Sequence, residues 1–316
     1  MDNTMCRRFD TLRNYLPDEL DKTALELESL SSLNNYCSNG ESGETKCKTD
    51  LDKINAGFLW LFDQLFVKNK KDDINIAEYI IIWLSYKLNQ KTYEGINNLN
   101  DFYNKYIKNN THYINCNNDG GDPSKSLKGI TGYNNYKEII DKKKELFNIN
   151  SEYMSKFYDA FKTLCNMYTE LDANKPNNKN YLDCAKKFVE KYKKFNDDSS
   201  IIGDSSYKQI LSTLSNDYNN FKEFCKSSSI DCSDIPQLPD IKKAQTPVQD
   251  SEQIFEATSS SSSITNKLIP VLSIIVAIPI FLGIFYKVNN KEFINYLRDY
   301  LYAIINKYII CLPFLY

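Results

Sequence analysis

The stretch SEYMSKFYDAFKTLCNMYTEL, Ser151 to Leu171, decides the fold. Met154, Phe157, Tyr158, Phe161, Leu164, Cys165, Tyr168 and Leu171 recur at steps of three and four, the spacing that lines one face of an α-helix. Glu152 stands in the first turn, and Pro176 with Asn177-Asn178 turns the chain afterwards. Tyr181, Leu182, Ala185, Phe188, Val189, Tyr192 and Phe195 then form a second stripe. Two striped helices joined by a short turn make an antiparallel hairpin.

The same periodicity continues outward from this hairpin. Ile54, Phe58, Leu59, Leu61, Phe62, Leu65 and Phe66 mark one helix, and residues 74–89 a second. The centre of the second, Tyr79 to Leu84, is apolar all round and bracketed by Glu78 and Lys87. It is far too short to cross a bilayer, so it is expected to be the central buried helix. Further helices are expected over 5–16, 18–34, 96–108, 133–147 and 206–225. Period-two strand patterns are nearly absent. The fold class is therefore all-α, a domain of antiparallel helix hairpins over residues 1–226.

Composition bounds the chemistry. The chain has 316 residues, 42% of them hydrophobic and 13% aromatic, enough for a core. Its single histidine, His112, excludes any site needing two imidazoles. A net charge of −2 gives no global argument for a nucleic-acid partner, and none is expected. Asparagine clusters such as Asn97-Asn98, Asn134-Asn135 and Asn219-Asn220, with lysine far outnumbering arginine, read as the imprint of AT-rich codons. No Gly-rich phosphate cradle occurs, and no cofactor or metal is expected. The paired carboxylates Asp72-Asp73 and Asp197-Asp198 are sequence neighbours whose side chains point apart. Nothing gathers a nucleophile, a base and an orienting group, so no catalytic residue is assigned.

Leu268 to Tyr286, LIPVLSIIVAIPIFLGIFY, is 19 residues without a charge. About 20 apolar residues cross a bilayer core, and Pro270 and Pro279 are tolerated in such a span. A transmembrane helix over 267–287 is expected, with the lipid bilayer as partner. Lys267 precedes it, while Lys287, Lys291 and Arg298 follow, so the positive-inside rule places the C-terminus in the cytoplasm. Residues 1–266 hold 34 bases and 39 acids, net −5, whereas residues 267–316 hold five and two, net +3. The first ten residues lack the apolar core of a signal peptide. Two topologies therefore stand: an exported N-terminal domain, or a tail-anchored protein facing the cytosol. Residues 227–266, with Pro236, Pro239, Pro247 and the run Ser259 to Ser263, read as a disordered stalk.

Eight cysteines precede the span: Cys6, Cys37, Cys47, Cys116, Cys165, Cys184, Cys225 and Cys232; Cys311 follows it. An even number without C-x-x-C spacing suits disulfides, although eight cysteines allow about a hundred connectivities. Cys165 and Cys184 sit on facing arms of the hairpin, and Cys225 and Cys232 flank a short Ser-rich turn. These two pairs are the expected bridges, the second worth roughly 2.5 kcal/mol. Free buried thiols are the alternative in a reducing compartment. Asn109-Asn110-Thr111 is the one N-glycosylation sequon. Loops at 38–46, 116–132 and 197–206 are candidate exposed contact regions.

A specific resemblance runs through these stretches, in order, from residue 1 to about 287. It is carried by Met1-Asp2, Cys6, Phe9-Asp10 and LPDEL (16–20), then Tyr36-Cys37, NGESG (39–43), DKINAG (52–57) and LWLF (59–62). EYIIIWLSYKLNQ (78–90), GINNLNDFY (95–103), LCNMYTEL (164–171) and QILSTL (209–214) complete it. The chain resembles the Plasmodium interspersed repeat family of malaria parasites. The resemblance implies a variant surface protein without enzymatic activity. It implies an N-terminal cysteine-bearing helical domain, one span and a short cytoplasmic tail, displayed at the infected red cell, the parasite surface or the vacuole membrane. It further implies roles in antigenic variation, immune evasion or adhesion, with host-cell receptors or antibodies as partners. A cytosol-facing structural protein of the parasite or its vacuole is the alternative. Residues 288–316 depart from the family's short basic tail. Their abrupt Ile/Tyr/Asn bias reads either as translated intron or as an in-plane amphipathic helix with Phe293, Leu297, Tyr300, Leu301, Ile304 and Tyr308 toward lipid.

Overall fold

The computed structural model describes residues 1–20, 22, 36–37, 47–114, 126–171, 179–228 and 230–242. Among them the chain forms α1 (Asn3–Tyr15), α2 (Asp50–Phe62), α3 (Ile76–Leu88), α4 (Leu99–Phe102), α5 (Thr111–Ile114) and α6 (Leu127–Thr131). These are followed by α7 (Tyr136–Lys142), α8 (Ser151–Glu170), α9 (Asn180–Asp197), α10 (Ser199–Gly203) and α11 (Ser205–Ser227). No strand occurs among the described residues, which agrees with the all-α reading. The expected span Leu268 to Tyr286 and the tail lie outside them. Among the described residues no helix is long and apolar enough to cross a membrane.

Several helices start where short polar side chains meet unpaired backbone N–H groups. Thr49 accepts from the Asp52 amide at 3.1 Å while the Asp52 carboxylate accepts from the Thr49 amide at 2.9 Å, a reciprocal capping box at α2. Asn98, Asn135 and Asn150 cap α4, α7 and α8. Asn134 adds its amide to Glu138 in the first turn of α7. Some of the asparagine clusters are thus helix starts, a structural use beyond codon bias.

α8 is the hub. Contacts to α9 keep a nearly constant index sum: Phe157 rings with Phe195, Asp159 pairs with Lys191, and Glu170 accepts from Asn180. That is an antiparallel hairpin, as expected. α1 also lies antiparallel to α8, through Phe9 on Phe161 (4.7 Å) and the Arg13 guanidinium on the Tyr158 hydroxyl. So does α3, through Tyr79 on Phe161 and Tyr86 on Tyr158 (4.6 and 4.4 Å between ring centres). α11 runs parallel to α8, with Tyr207 near Phe157 and Phe221 against Tyr168. α3 is buried all round, as its apolar centre predicts, but the larger role belongs to α8. Where α1, α2 and α3 press closest stands Gly57: a Cβ there would lie 2.9 Å from Leu16 Cδ1 and 3.1 Å from Trp83 Cη2.

The chain after α11 corrects the expected start of the stalk. Residues 230–242 return across the domain. Ile235 is buried, Leu238 and Ile241 pack on the core, and Tyr218 donates to the Pro236 carbonyl at 2.7 Å. The Asn196 side chain clasps this segment from both sides, donating to the Asp240 carbonyl (2.7 Å) and accepting from the Lys242 amide (2.8 Å). Ile235, Leu238 and Ile241 recur every three residues along a segment that is neither helix nor strand. Periods of 2 and 3.6 do not detect it.

Candidate functional site

Three disulfides tie the described residues: Cys6–Cys165, Cys37–Cys47 and Cys225–Cys232. The Cys225–Cys232 expectation holds. The Cys165–Cys184 expectation is wrong, and the helix register says why. Partners across α8 and α9 sum to about 350, so the residue facing Cys165 is the buried Ala185, and Cys184 is turned aside. Cys165 instead faces α1, in the same register as Phe9–Phe161. Cys184 remains a half-buried thiol, its pKa pushed up by burial and then by the nearby Glu170. Cys116 lies outside the described residues.

The buried charges are structural. The Glu78 carboxylate on α3 accepts from Lys143 Nζ at 2.6 Å and from the Gln209 amide at 3.0 Å, with both charged side chains nearly inaccessible. Lys143 also donates to the Asn75 side chain at 2.6 Å. Asp217 on α11 accepts from the Met1 ammonium (2.6 Å) and the Tyr79 hydroxyl (2.7 Å). Burial, and then the Asp217 charge, hold the Tyr79 phenol well above its ordinary range. Asp18 accepts from Tyr158 and Lys162 at 2.9 and 2.8 Å. Beside it Lys87, 4% exposed, donates to the Pro17 carbonyl at 2.6 Å.

Burial pulls the Lys87 pKa down to about 8, against an ordinary 10.5. The unfolded chain then binds this proton more tightly than the folded one between those values. Folding stability rises with pH across that window, by up to about 1.4 kcal/mol per pH unit. Tyr93 and Tyr106, raised by burial to about 12, work in the opposite direction above pH 10. The expected result is that urea midpoints measured from pH 7.5 to 9.5 climb for the native chain relative to Lys87→Met. Parallel curves would remove Lys87 from the account.

The paired carboxylates are engaged elsewhere. Asp73 accepts from the Asn75 amide, while Asp198 caps α10 and accepts from the Tyr153 hydroxyl at 2.8 Å. Asp197 pairs with Lys242 at 2.5 Å. Among the described residues no three His, Cys, Asp or Glu side chains are placed to hold a metal ion. Of the expected contact loops, 38–46 and 116–125 lie outside the described residues. Residues 126–132 form α6 and its left-handed cap at Gly132, and 197–206 forms α10 and the start of α11, so neither is irregular. Asn109 of the sequon is exposed. The Cys37–Cys47 bridge closes the base of 38–46, and the Tyr36 ring lies 6.3 Å from His112, just before 115–125. The described residues that flank these two stretches of sequence are therefore neighbours.

An all-helical module tied by disulfides, with its buried charges engaged in packing, is the class this chain falls into. The chain belongs to the Plasmodium variant antigen protein Cir/Yir/Bir family, whose profile matches residues 6–287. It is also similar to a solved structure of a Plasmodium PIR protein ectodomain, at 34% identity and a TM-score of 0.53, covering 76% of this chain and 99% of that one. No curated protein matches.

Proposed function

We propose that this chain is a membrane-anchored variant surface antigen whose helical domain faces the exterior, held by Leu268 to Tyr286 with its C-terminus in the cytoplasm. Its role in this reading is antigenic variation, immune evasion or adhesion at the infected red cell, with antibodies or host-cell receptors as partners. The observation that carries the reading is the pairing of six cysteines in one domain, a pattern that belongs to oxidising compartments. The uncharged 19-residue stretch and its charge flanks supply the anchor and its direction.

Thiol mapping combined with protease treatment of intact infected cells tests it. The expected result is that Cys6, Cys37, Cys47, Cys165, Cys225 and Cys232 resist alkylation until reduced, while external protease cleaves within residues 1–266. Six alkylatable thiols on a protease-protected domain would establish the cytosol-facing, tail-anchored topology instead.

A further inference from the structure

A cavity of about 270 Å³ opens between the C-terminal end of α3, the segment leading into α4, and the turn before α8. Its chemistry differs from that of the other clefts described. A quarter of the chain's residues are charged, yet no charged residue lines this cavity. The three other clefts each carry lysines beside carboxylates. The floor is apolar and includes the buried Ile96 and Phe147. The rim is five exposed asparagines, Asn89, Asn97, Asn98, Asn148 and Asn150.

The hydrogen-bonding capacity of this rim is largely unused. The side chains of Asn97 and Asn148 make no hydrogen bond among the described residues. Asn98 and Asn150 each commit the carbonyl oxygen to a helix cap, to the Asp101 amide at 3.0 Å and the Glu152 amide at 2.8 Å, which leaves both NH₂ groups available. Ser85 lies at the cavity wall, 5% exposed, and its hydroxyl has no partner among the described residues. That oxygen is open to the cavity rather than sealed in the core, so a ligand hydroxyl can reach it.

We infer that this cavity is a binding site for a neutral saccharide ring. Asn97 and Asn148 each offer a donor and an acceptor side by side, the pair that a sugar hydroxyl needs because it both donates and accepts, and Asn98 and Asn150 add NH₂ donors. An apolar floor suits the C–H face of a pyranose. The absence of charge selects against sialic and uronic acids, whose carboxylates would call for lysine or arginine. The volume lies near the small end of small-molecule pockets, roughly 300 Å³ and upward, room for one ring and not for a folded peptide. Codon bias supplies asparagine everywhere in the chain, but it does not clear charge from one cavity and leave it in three others. The inference concerns binding alone and stands apart from which membrane displays the domain.

The test is saturation-transfer NMR on the full chain in lipid nanodiscs, against empty nanodiscs, with the methyl glycosides of galactose, glucose and mannose at roughly millimolar concentrations. N-acetylneuraminic acid and a blocked triglycine serve as the charged and peptide comparisons. The expected result is transfer to the ring protons of at least one neutral glycoside. Ser85→Ala should weaken it by about fivefold, the loss of one neutral hydrogen bond. Asn148→Ala, on an exposed position that leaves the core untouched, should weaken it similarly. No transfer to any of the three glycosides, transfer indifferent to both substitutions, or transfer to the triglycine alone would each overturn the inference.

Discussion

Removing the Cys6–Cys165 bridge destabilises this domain more than removing either of the other two. The bridge joins residues 159 apart in sequence, whereas Cys37–Cys47 and Cys225–Cys232 span 10 and 7. In the chain-entropy account the long loop is worth about 5 kcal/mol and each short one about 2.5 kcal/mol. The long bridge also has a mechanical role that the short ones lack. It fixes α1 to the central helix, and Phe9, Leu12 and Met5 of α1 are buried against the core. Both of its sulfurs are fully buried, so Cys6→Ala/Cys165→Ala removes the crosslink without introducing a buried polar group. Urea unfolding followed by the emission of Trp60 and Trp83, both buried, supplies the midpoint. The double variant should fall furthest, Cys37→Ala/Cys47→Ala and Cys225→Ala/Cys232→Ala by about half as much. Equal losses across the three pairs would show that the long loop is already restrained in the unfolded chain.

This bridge also marks the limit of what periodicity conveys. The stripe from Met154 to Leu171 predicts α8 and its hairpin with α9, and both are present. The same stripe treats Cys165 as one more apolar position. It carries no record that the buried face of α8 is shared among α1, α3, α9 and α11, so the hairpin arm nearest in sequence was the only available partner for Cys165. Residues 230–242 failed differently. Proline and serine there resemble a tether, and the anchoring groups, Asn196 and Tyr218, lie on other helices. The asparagine-rimmed cavity could not be read along the chain at all, because residues 147–151 lie far in sequence from residues 85–99 that face them and none of its walls carries a motif. Glu78 and Lys87 were legible only as the brackets of an apolar run. They mark the ends of that run because each is buried and has found a partner elsewhere in the fold.

Glu78 yields the other large effect. Its side chain is 1% exposed and that of Lys143 8%, so the pair is taken out of water almost completely. One carboxylate oxygen receives both Lys143 and Gln209, while Oε2 is buried with no hydrogen-bond partner. Removing the cation alone leaves an uncompensated charge in the core, a loss of about 3–5 kcal/mol. Lys143→Met should therefore lower the unfolding free energy by that amount. Removing the charge as well changes the balance. In Lys143→Met/Glu78→Gln the carboxylate is replaced by a neutral amide of the same shape, and the penalty of burying an ion disappears with it. The double variant should regain most of the loss, because a buried ion pair replaced by well-packed neutral groups is often close to neutral in stability. A double-mutant cycle on urea midpoints reads the coupling directly. If the two single losses simply add, Glu78 does not depend on Lys143 for its charge, and Gln209 with the α3 backbone holds it. If they couple by several kcal/mol, the pair fixes α3 against the turn after α7. That contact joins α3, which carries Ser85, to the stretch just before Phe147 and Asn148, the two elements that form facing parts of the cavity lining.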